Sequence, residues 1–299
     1  MLNVLNVVSA ALNDLSAVPR TERLIAVARD ACREAAALLR RRAAEGTRAR
    51  AKSDYERVSD ADVEAEALLR TALRAAVPGS GVVGEELPED PVQAGPGAPG
   101  PAVTWYVDPL DGTHNFLRGL PFACVSVGVA VDGRLVGGCV HDIFRDESFT
   151  GGDGVPLRVE GAAGPVAGAA PPDPAQAPLV LTDVPMPGRD GPAEARFFAD
   201  LVSRAEPRRL YCTALSLAWV AAGRADLACN LPIRPWDVAG GAALVRAAGG
   251  RCVPVGGPEV THAPGFVAVR AEAGEQAERA GHWLQARLTA LYLRRDYGR

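Results

Sequence analysis

The stretch TWYVDPLDGTHNF, residues 104–116, constrains the fold more than any other part of the chain. Its apolar run reads as an extended strand that stops around Asp108 and Asp111. Asp111-Gly112 is a turn dipeptide, and the residues after it start a short helix. A strand, a tight corner and a helix in such quick succession belong to a layered protein in which strands and helices alternate. The corner leaves Asp108 and Asp111 three residues apart, either as turn chemistry or as the edge of a metal site.

The rest of the chain keeps the alternation. Residues 21–45 are helical by periodicity, with Ile25, Ala28, Cys32, Ala35, Ala36 and Leu39 on one face and Gly46 as the stop. A second helix starts near Ser59, where Ser59 and Asp62 fit a capping box. Its stripe is Ala65, Leu68, Leu69, Ala72, Leu73 and Ala76, and Pro78-Gly79 ends it. SGVVGEEL is a short strand delivering Glu85 and Glu86, and residues 87–103 form a Pro/Gly/acidic loop. CVSVGVAVDGRLVGGCV is a hairpin with alternating valines and Asp132-Gly133 at its turn. LVLTDV and ADLAC read as strands, and TALSLAWVAAG and WDVAGGAALVRAAGG as helices. On the first of these helices Leu215, Ala218, Trp219 and Ala222 form one face. The low-complexity stretch 161–178 divides the chain into an expected N-terminal half, 1–160, and C-terminal half, 179–299. The fold class is α/β, or mixed α+β in layers.

Charge and cysteine usage narrow the function. A net charge of −4 lacks the basic footprint of a nucleic-acid binder. No two of Cys32, Cys124, Cys139, Cys212, Cys229 and Cys252 lie within four residues of each other, so neither a zinc knuckle nor a CxxC redox motif is present. Most sit in apolar runs, as expected of a reduced, cytoplasmic protein. The first 20 residues lack a basic n-region and read as a leading arm rather than a signal peptide. No apolar run approaches the ~18 residues of a membrane span. Among 32 basic residues 31 are arginines, and Lys52 is the single lysine.

Carboxylates recur where apolar strands end or helices begin: Glu85, Asp108, Asp111, Asp237 and Asp62. Each has an ordinary structural explanation. Asp62 and Asp237 suit helix N-termini, worth about 0.3–1 kcal/mol each through the dipole. Asp111 suits a turn, and Glu85 a solvated strand end. As a set without basic neighbours they have the chemistry Mg²⁺ requires, hard oxygen donors with room for water and a substrate phosphate. A backbone carbonyl between the two aspartates of the corner can supply a further oxygen. The first N–H groups of the following helix, at Gly112 and Thr113, can hold phosphate oxygens, and Gly112 has no side chain to obstruct them.

These residues also carry a resemblance. WYVDPLDGTHNFLRGLPFACVSVGVA resembles the first signature of the inositol monophosphatase family, W-hydrophobic-hydrophobic-D-P-hydrophobic-D-G-T-x-N-F followed by G-x-P-F. PWDVAGGAALVRAAGG resembles the second, and VVGEEL the G-E-E element. KSDYERVSDAD resembles K-x-D…V-[TS]-x-A-D and puts Lys52 where the family has a lysine. The four elements come in family order between about residues 20 and 270.

The resemblance implies a layered α-β-α-β-α sandwich of the sugar-phosphatase type and a Mg²⁺-dependent, lithium-sensitive phosphomonoesterase. By it, Glu85, Asp108 and the Leu110 carbonyl hold one Mg²⁺, and Asp108, Asp111 and Asp237 a second. Glu85 with Asp62 holds or orients a weaker third, and Glu85 and the Thr113 hydroxyl orient the attacking water. Gly112 and Thr113 meet the phosphate, while Asn230, Cys212, Thr213 and Ala214 line the substrate side. Relatives are commonly homodimers.

Three departures bear on the substrate. Asn230 stands where inositol-phosphate enzymes carry a glutamate, seven residues before Asp237. Cys212-Thr213-Ala214 replaces G-[ST]-A, and the segment after the hairpin is contracted to GGDGVPLRV. The expected substrate is therefore a small phosphate monoester, whether inositol, cyclitol, sugar or nucleoside monophosphate. The alternatives are a 3′(2′),5′-bisphosphate nucleotidase and a family member with a non-catalytic regulatory binding role.

Overall fold

The computed structural model describes residues 20–46, 49–51, 57–92, 102–161, 164–165, 176–186 and 190–294. The leading arm, Lys52, residues 93–101 of the acidic loop and most of the low-complexity stretch lie outside the described residues.

Two amphipathic helices, α1 (Arg20–Glu45) and α2 (Asp60–Ala76), open the fold. Between them β1 (Ala49–Ala51) and β2 (Arg57–Ser59) pair antiparallel and lead directly into α2. The periodic residues of α1, from Leu24 and Ile25 to Leu39, are buried, while its arginines stay largely outside.

A seven-stranded sheet follows in chain order. Its strands are β3 (Gly81–Gly84), β4 (Val103–Asp111), β5 (Cys124–Val131), β6 (Arg134–Asp142), β7 (Glu147–Gly152), β8 (Val155–Gly161) and β9 (Gly164–Pro165). Only β3 and β4 run parallel, and every later pair is antiparallel. The β5–β6 hairpin turns at Asp132 and Gly133, with φ of 50° and 79°, the left-handed pair its Asp-Gly dipeptide favours. GGDGVPLRV lies in the β7–β8 hairpin and adds strands to the sheet. Glycine-rich and interrupted by Pro156, the segment shows little alternation, so its sequence hides these strands.

A five-stranded sheet, ordered β11 (Glu206–Arg208), β10 (Leu179–Leu181), β12 (Leu227–Asn230), β14 (Gly265–Val269) and β13 (Arg251–Val255), forms the second β layer. Three apolar clusters show how the layers stack. The first joins α1 and α2 to one face of the large sheet, through Val82, Trp105, Val107, Val125, Val127 and Val129. The second joins both sheets to α5 (Thr213–Ala221) and α6 (Pro235–Ala247), through Val140, Phe149, Ala228 and Phe266. The third joins the outer face of the small sheet to α4 (Pro192–Val202) and α7 (Gly274–Arg294). The order is helix, sheet, helix, sheet, helix.

This stacking alters one sequence expectation. Helix α5 is buried almost all round, with only Thr213 and Trp219 partly exposed, instead of presenting one apolar face. A helix between two sheets must be apolar on both sides. None of the described helices is long and apolar enough to cross a membrane.

Candidate active site

The register of the large sheet builds the acidic corner. Parallel pairing of β3 with β4 ends at Gly84 opposite Val107. The next residues along the two strands are Glu85 and Asp108, so two carboxylates leave the sheet side by side. Strand β4 then breaks register with β5 between Asp108 and Asp111, across the Pro109-Leu110 step. The break brings Asp111 opposite Cys124 and points the corner at the short helix α3 (Thr113–Leu117). Gly112 caps α3 with φ +88°, and a Cβ there would lie 2.5 Å from the Phe122 carbonyl oxygen. Gly112→Ala is therefore expected to cost more than about 1 kcal/mol in denaturant unfolding, through both strain and overlap.

Helix α2 aims its N-terminus at the same corner. Asp62 is 1% exposed and accepts hydrogen bonds from the Ser59 N–H (2.9 Å) and Ser59 hydroxyl, the expected capping box. Its other oxygen lies 2.9 Å from Thr113 Oγ1, which is also 2.9 Å from the Leu110 carbonyl oxygen. Burial pushes the Asp62 carboxyl up, against the hydrogen bonds from Ser59 and Thr113. From the opposite side, Asp237 sits in the first turn of α6 and accepts from the Arg234 N–H at 2.7 Å.

Glu85, Asp108, Asp111 and Asp237 act on one another through their charges, whereas Asp62 is shifted by burial and its own hydrogen bonds. Asp108 is 2% exposed, and its carboxyl is held well above the usual range by burial and then by the charges of Glu85, Asp111 and Asp237. Asp111 is raised in the same way by burial and Asp237, although the Ala214 N–H donates to it at 2.6 Å. Burial and like-charge repulsion of this kind are what a hard divalent cation relieves, and the all-oxygen donor set of Glu85, Asp108, Asp111, Asp237 and the Leu110 carbonyl fits Mg²⁺.

The chain's similarities can now be placed beside this geometry. The model of the inositol monophosphatase family matches residues 20–288. The protein named Nus factor SuhB of Xylella fastidiosa is 35% identical over 200 residues, 67% of this chain and 69% of the relative. The crystal structure of extragenic suppressor protein suhB from Bartonella henselae superposes with a TM-score of 0.73 at 28% identity, covering 85% of this chain and 96% of the other. Inositol monophosphatase from Anabaena gives a TM-score of 0.70 at 26% identity, covering 90% and 97%.

The chain belongs to the inositol monophosphatase family.

As a family member it has particular features on the expected substrate side. Asn230, at the end of β12, is only 5% exposed and engaged within the protein. Its amide donates to Asp183 Oδ2 (3.1 Å) and Thr213 Oγ1 (2.9 Å), and its oxygen accepts from the Asp183 N–H (2.6 Å). Cys212 is fully buried at the N-cap of α5, and Ala214 contributes its N–H to Asp111. Asn230 therefore braces the start of α5, and through Ala214 the brace reaches Asp111.

Two residues that support the site are not apparent from the motifs. Glu66, one turn after Asp62 on α2, is fully buried and accepts from the Glu86 N–H (2.7 Å) and Leu87 N–H (3.2 Å). It thus holds the chain just after Glu85, and a Cβ on Gly84 would overlap its carboxylate. Asp183 accepts from the Tyr211 N–H at 2.8 Å and ties the small sheet to the loop before α5. Local spacing does not single Glu66 out, and the burial of Asp62, Glu66 and Arg70 along one face of α2 emerges only in the folded chain.

Proposed function

We propose that the protein is a Mg²⁺-dependent phosphatase that hydrolyses a small phosphate monoester with a water nucleophile. The observation that carries this reading is the acidic set around Asp108, a buried acid raised by burial and then by the charges of Glu85, Asp111 and Asp237, with the partly buried Asp111 raised by burial and by Asp237. Glu85, Asp108, Asp111, Asp237 and the Leu110 carbonyl would hold the ions, with Asp62 beside them. When bound, Mg²⁺ lowers the pKa of water and steadies the attacking and leaving oxygens of the displacement.

The chain's own groups do the rest. Thr113 has one hydroxyl proton and two lone pairs. Donating to Asp62 or to the Leu110 carbonyl leaves a lone pair free to accept from a water and orient it. Glu85 flanks that position from β3. Gly112 and Thr113 N–H groups receive phosphate oxygens at the corner, and the brace of Asn230, Thr213 and Ala214 keeps Asp111 in place. No covalent nucleophile enters this scheme.

Relatives carrying the name Nus factor support a second reading, a regulatory binding role beside hydrolysis. The retained acidic set favours catalysis as the primary role. The test is phosphate release from a series of inositol, sugar and nucleoside monophosphates, with nucleoside bisphosphates included. Turnover of at least one ester in Mg²⁺, abolished by EDTA and restored by added Mg²⁺, is the expected result. Turnover indifferent to EDTA would sink the metal assignment, and no turnover of any ester would favour the binding role.

A further inference from the structure

Beside the acidic corner lies a second group of ligand atoms with different chemistry. Cys124 opens β5, Cys212 caps α5, and Asp111 ends β4 opposite Cys124. The Cys124 and Cys212 sulfurs are 3.7 Å apart, and Cys124 Sγ is 3.9 Å from Asp111 Oδ2. One ligand atom from each of the three residues lies within 4.8 Å of the others.

The geometry points to a site for one thiophilic divalent cation, Zn²⁺ or a close analogue, held by the Cys124 and Cys212 sulfurs and the Asp111 carboxylate. Tetrahedral zinc bonds sulfur at about 2.3 Å, which places two sulfur ligands about 3.8 Å apart. The two thiols already stand at that separation without any rearrangement. Three protein ligands leave the fourth position open, to water or another donor. Magnesium takes hard oxygen ligands and would not use the two sulfurs, so Asp111 is the one residue this group shares with the proposed Mg²⁺ site.

The surroundings suit sulfur ligands. Both cysteines are fully buried, so no solvent competes at the sulfurs, whereas Asp111 is only partly buried. Burial raises both thiols, so an entering cation has to displace their protons. The Ala214 N–H fixes the Asp111 carboxylate at 2.6 Å. Binding would release the two thiol protons to solvent and form two metal–sulfur bonds, with no oxidant or reductant involved. Cys212 stands where the G-[ST]-A pattern has its glycine, so a chain following that pattern would lack one of the two sulfurs.

The inference does not depend on phosphatase activity. It is tested with Cd²⁺ alone, titrated into the whole, metal-stripped protein kept reduced by a phosphine. The expected result is a thiolate-to-cadmium charge-transfer absorption that saturates at one equivalent. Cys212→Ser and Cys124→Ala, each checked for folding by circular dichroism, should weaken Cd²⁺ binding by more than about 100-fold, beyond the usual effect of losing an outer-shell partner. Cys252→Ser, outside the group, should leave the titration unchanged. A reduced wild-type protein that shows no such band would overturn the site. So would a band that survives in both Cys212→Ser and Cys124→Ala.

Discussion

Asp108→Asn is expected to abolish phosphate release while leaving the fold intact and raising the stability of the metal-free protein. Asp108 lies at the centre of the acidic group, and its carboxyl is pushed up by burial and by Glu85, Asp111 and Asp237. Removing its charge removes a donor that the proposed ions share, so activity should fall by more than about 100-fold, at least the upper range for an outer-shell partner. Amide and carboxylate are nearly isosteric, so the β4–β5 ladder has no steric reason to change. The Leu110 N–H, which donates to Asp108 Oδ1 at 3.1 Å, keeps an acceptor.

The stability effect has a definite sign. Asp108 and Asp111 have folded-state pKa values above their unfolded ones. Their contribution is then fully present below the ordinary carboxylate range and is lost as pH rises through the raised values. In EDTA the wild-type protein should therefore lose stability as pH climbs above that range, and Asp108→Asn should lose less. Thermal unfolding across pH, with and without Mg²⁺, reads this directly. A metal-free wild type that grows steadily more stable over that interval would contradict the electrostatic account of the corner.

The second large effect concerns Glu66. It pairs with Arg70 at 2.7 Å, and the two side chains are 0% and 9% exposed. Breaking a buried pair by deleting one member typically costs about 3–5 kcal/mol, because the remaining charge is left uncompensated. Arg70 also bonds Asp90 at 2.9 Å and the Leu87 carbonyl at 3.0 Å, so its charge would not be left alone. Glu66→Ala is therefore expected near the low end, about 3 kcal/mol. It also frees the Glu86 and Leu87 N–H groups and with them the loop carrying Glu85, so activity should fall along with stability. Glu66→Gln keeps one side-chain oxygen, enough to accept from one of those two N–H groups, and should recover part of the activity. Equal activity in the two variants, once both are folded, would separate Glu66 from the positioning of Glu85.

The difference between Asp108 and Glu66 explains what could be read before the structure. Asp108, Asp111 and Asp237 stand next to Pro, Gly or Trp at element ends, where the neighbours mark a corner and the carboxylate is conspicuous. Glu66 sits inside a helix, where a glutamate ordinarily reads as part of a solvated face. Its burial depends on docking against residues 86 and 87, a long-range contact that local periodicity does not encode. The same holds for the layers. The valines of β5 showed one buried face, but Cys124, Ser126 and Gly128 on the other are buried too, Ser126 and Gly128 against α6 and Cys124 against Cys212 at the start of α5. Asn230 could be located as the residue replacing a glutamate. That its amide is spent on Asp183 and Thr213 required the small sheet and α5 to be in place.

The central claim is that the acidic corner binds Mg²⁺, and calorimetric titration of Mg²⁺ into the metal-stripped protein tests it most directly. The account predicts saturable binding to wild type that weakens as the pH falls through the raised carboxylate range and is lost in Asp108→Asn. Equal Mg²⁺ binding by wild type and Asp108→Asn, or none by wild type, would contradict it.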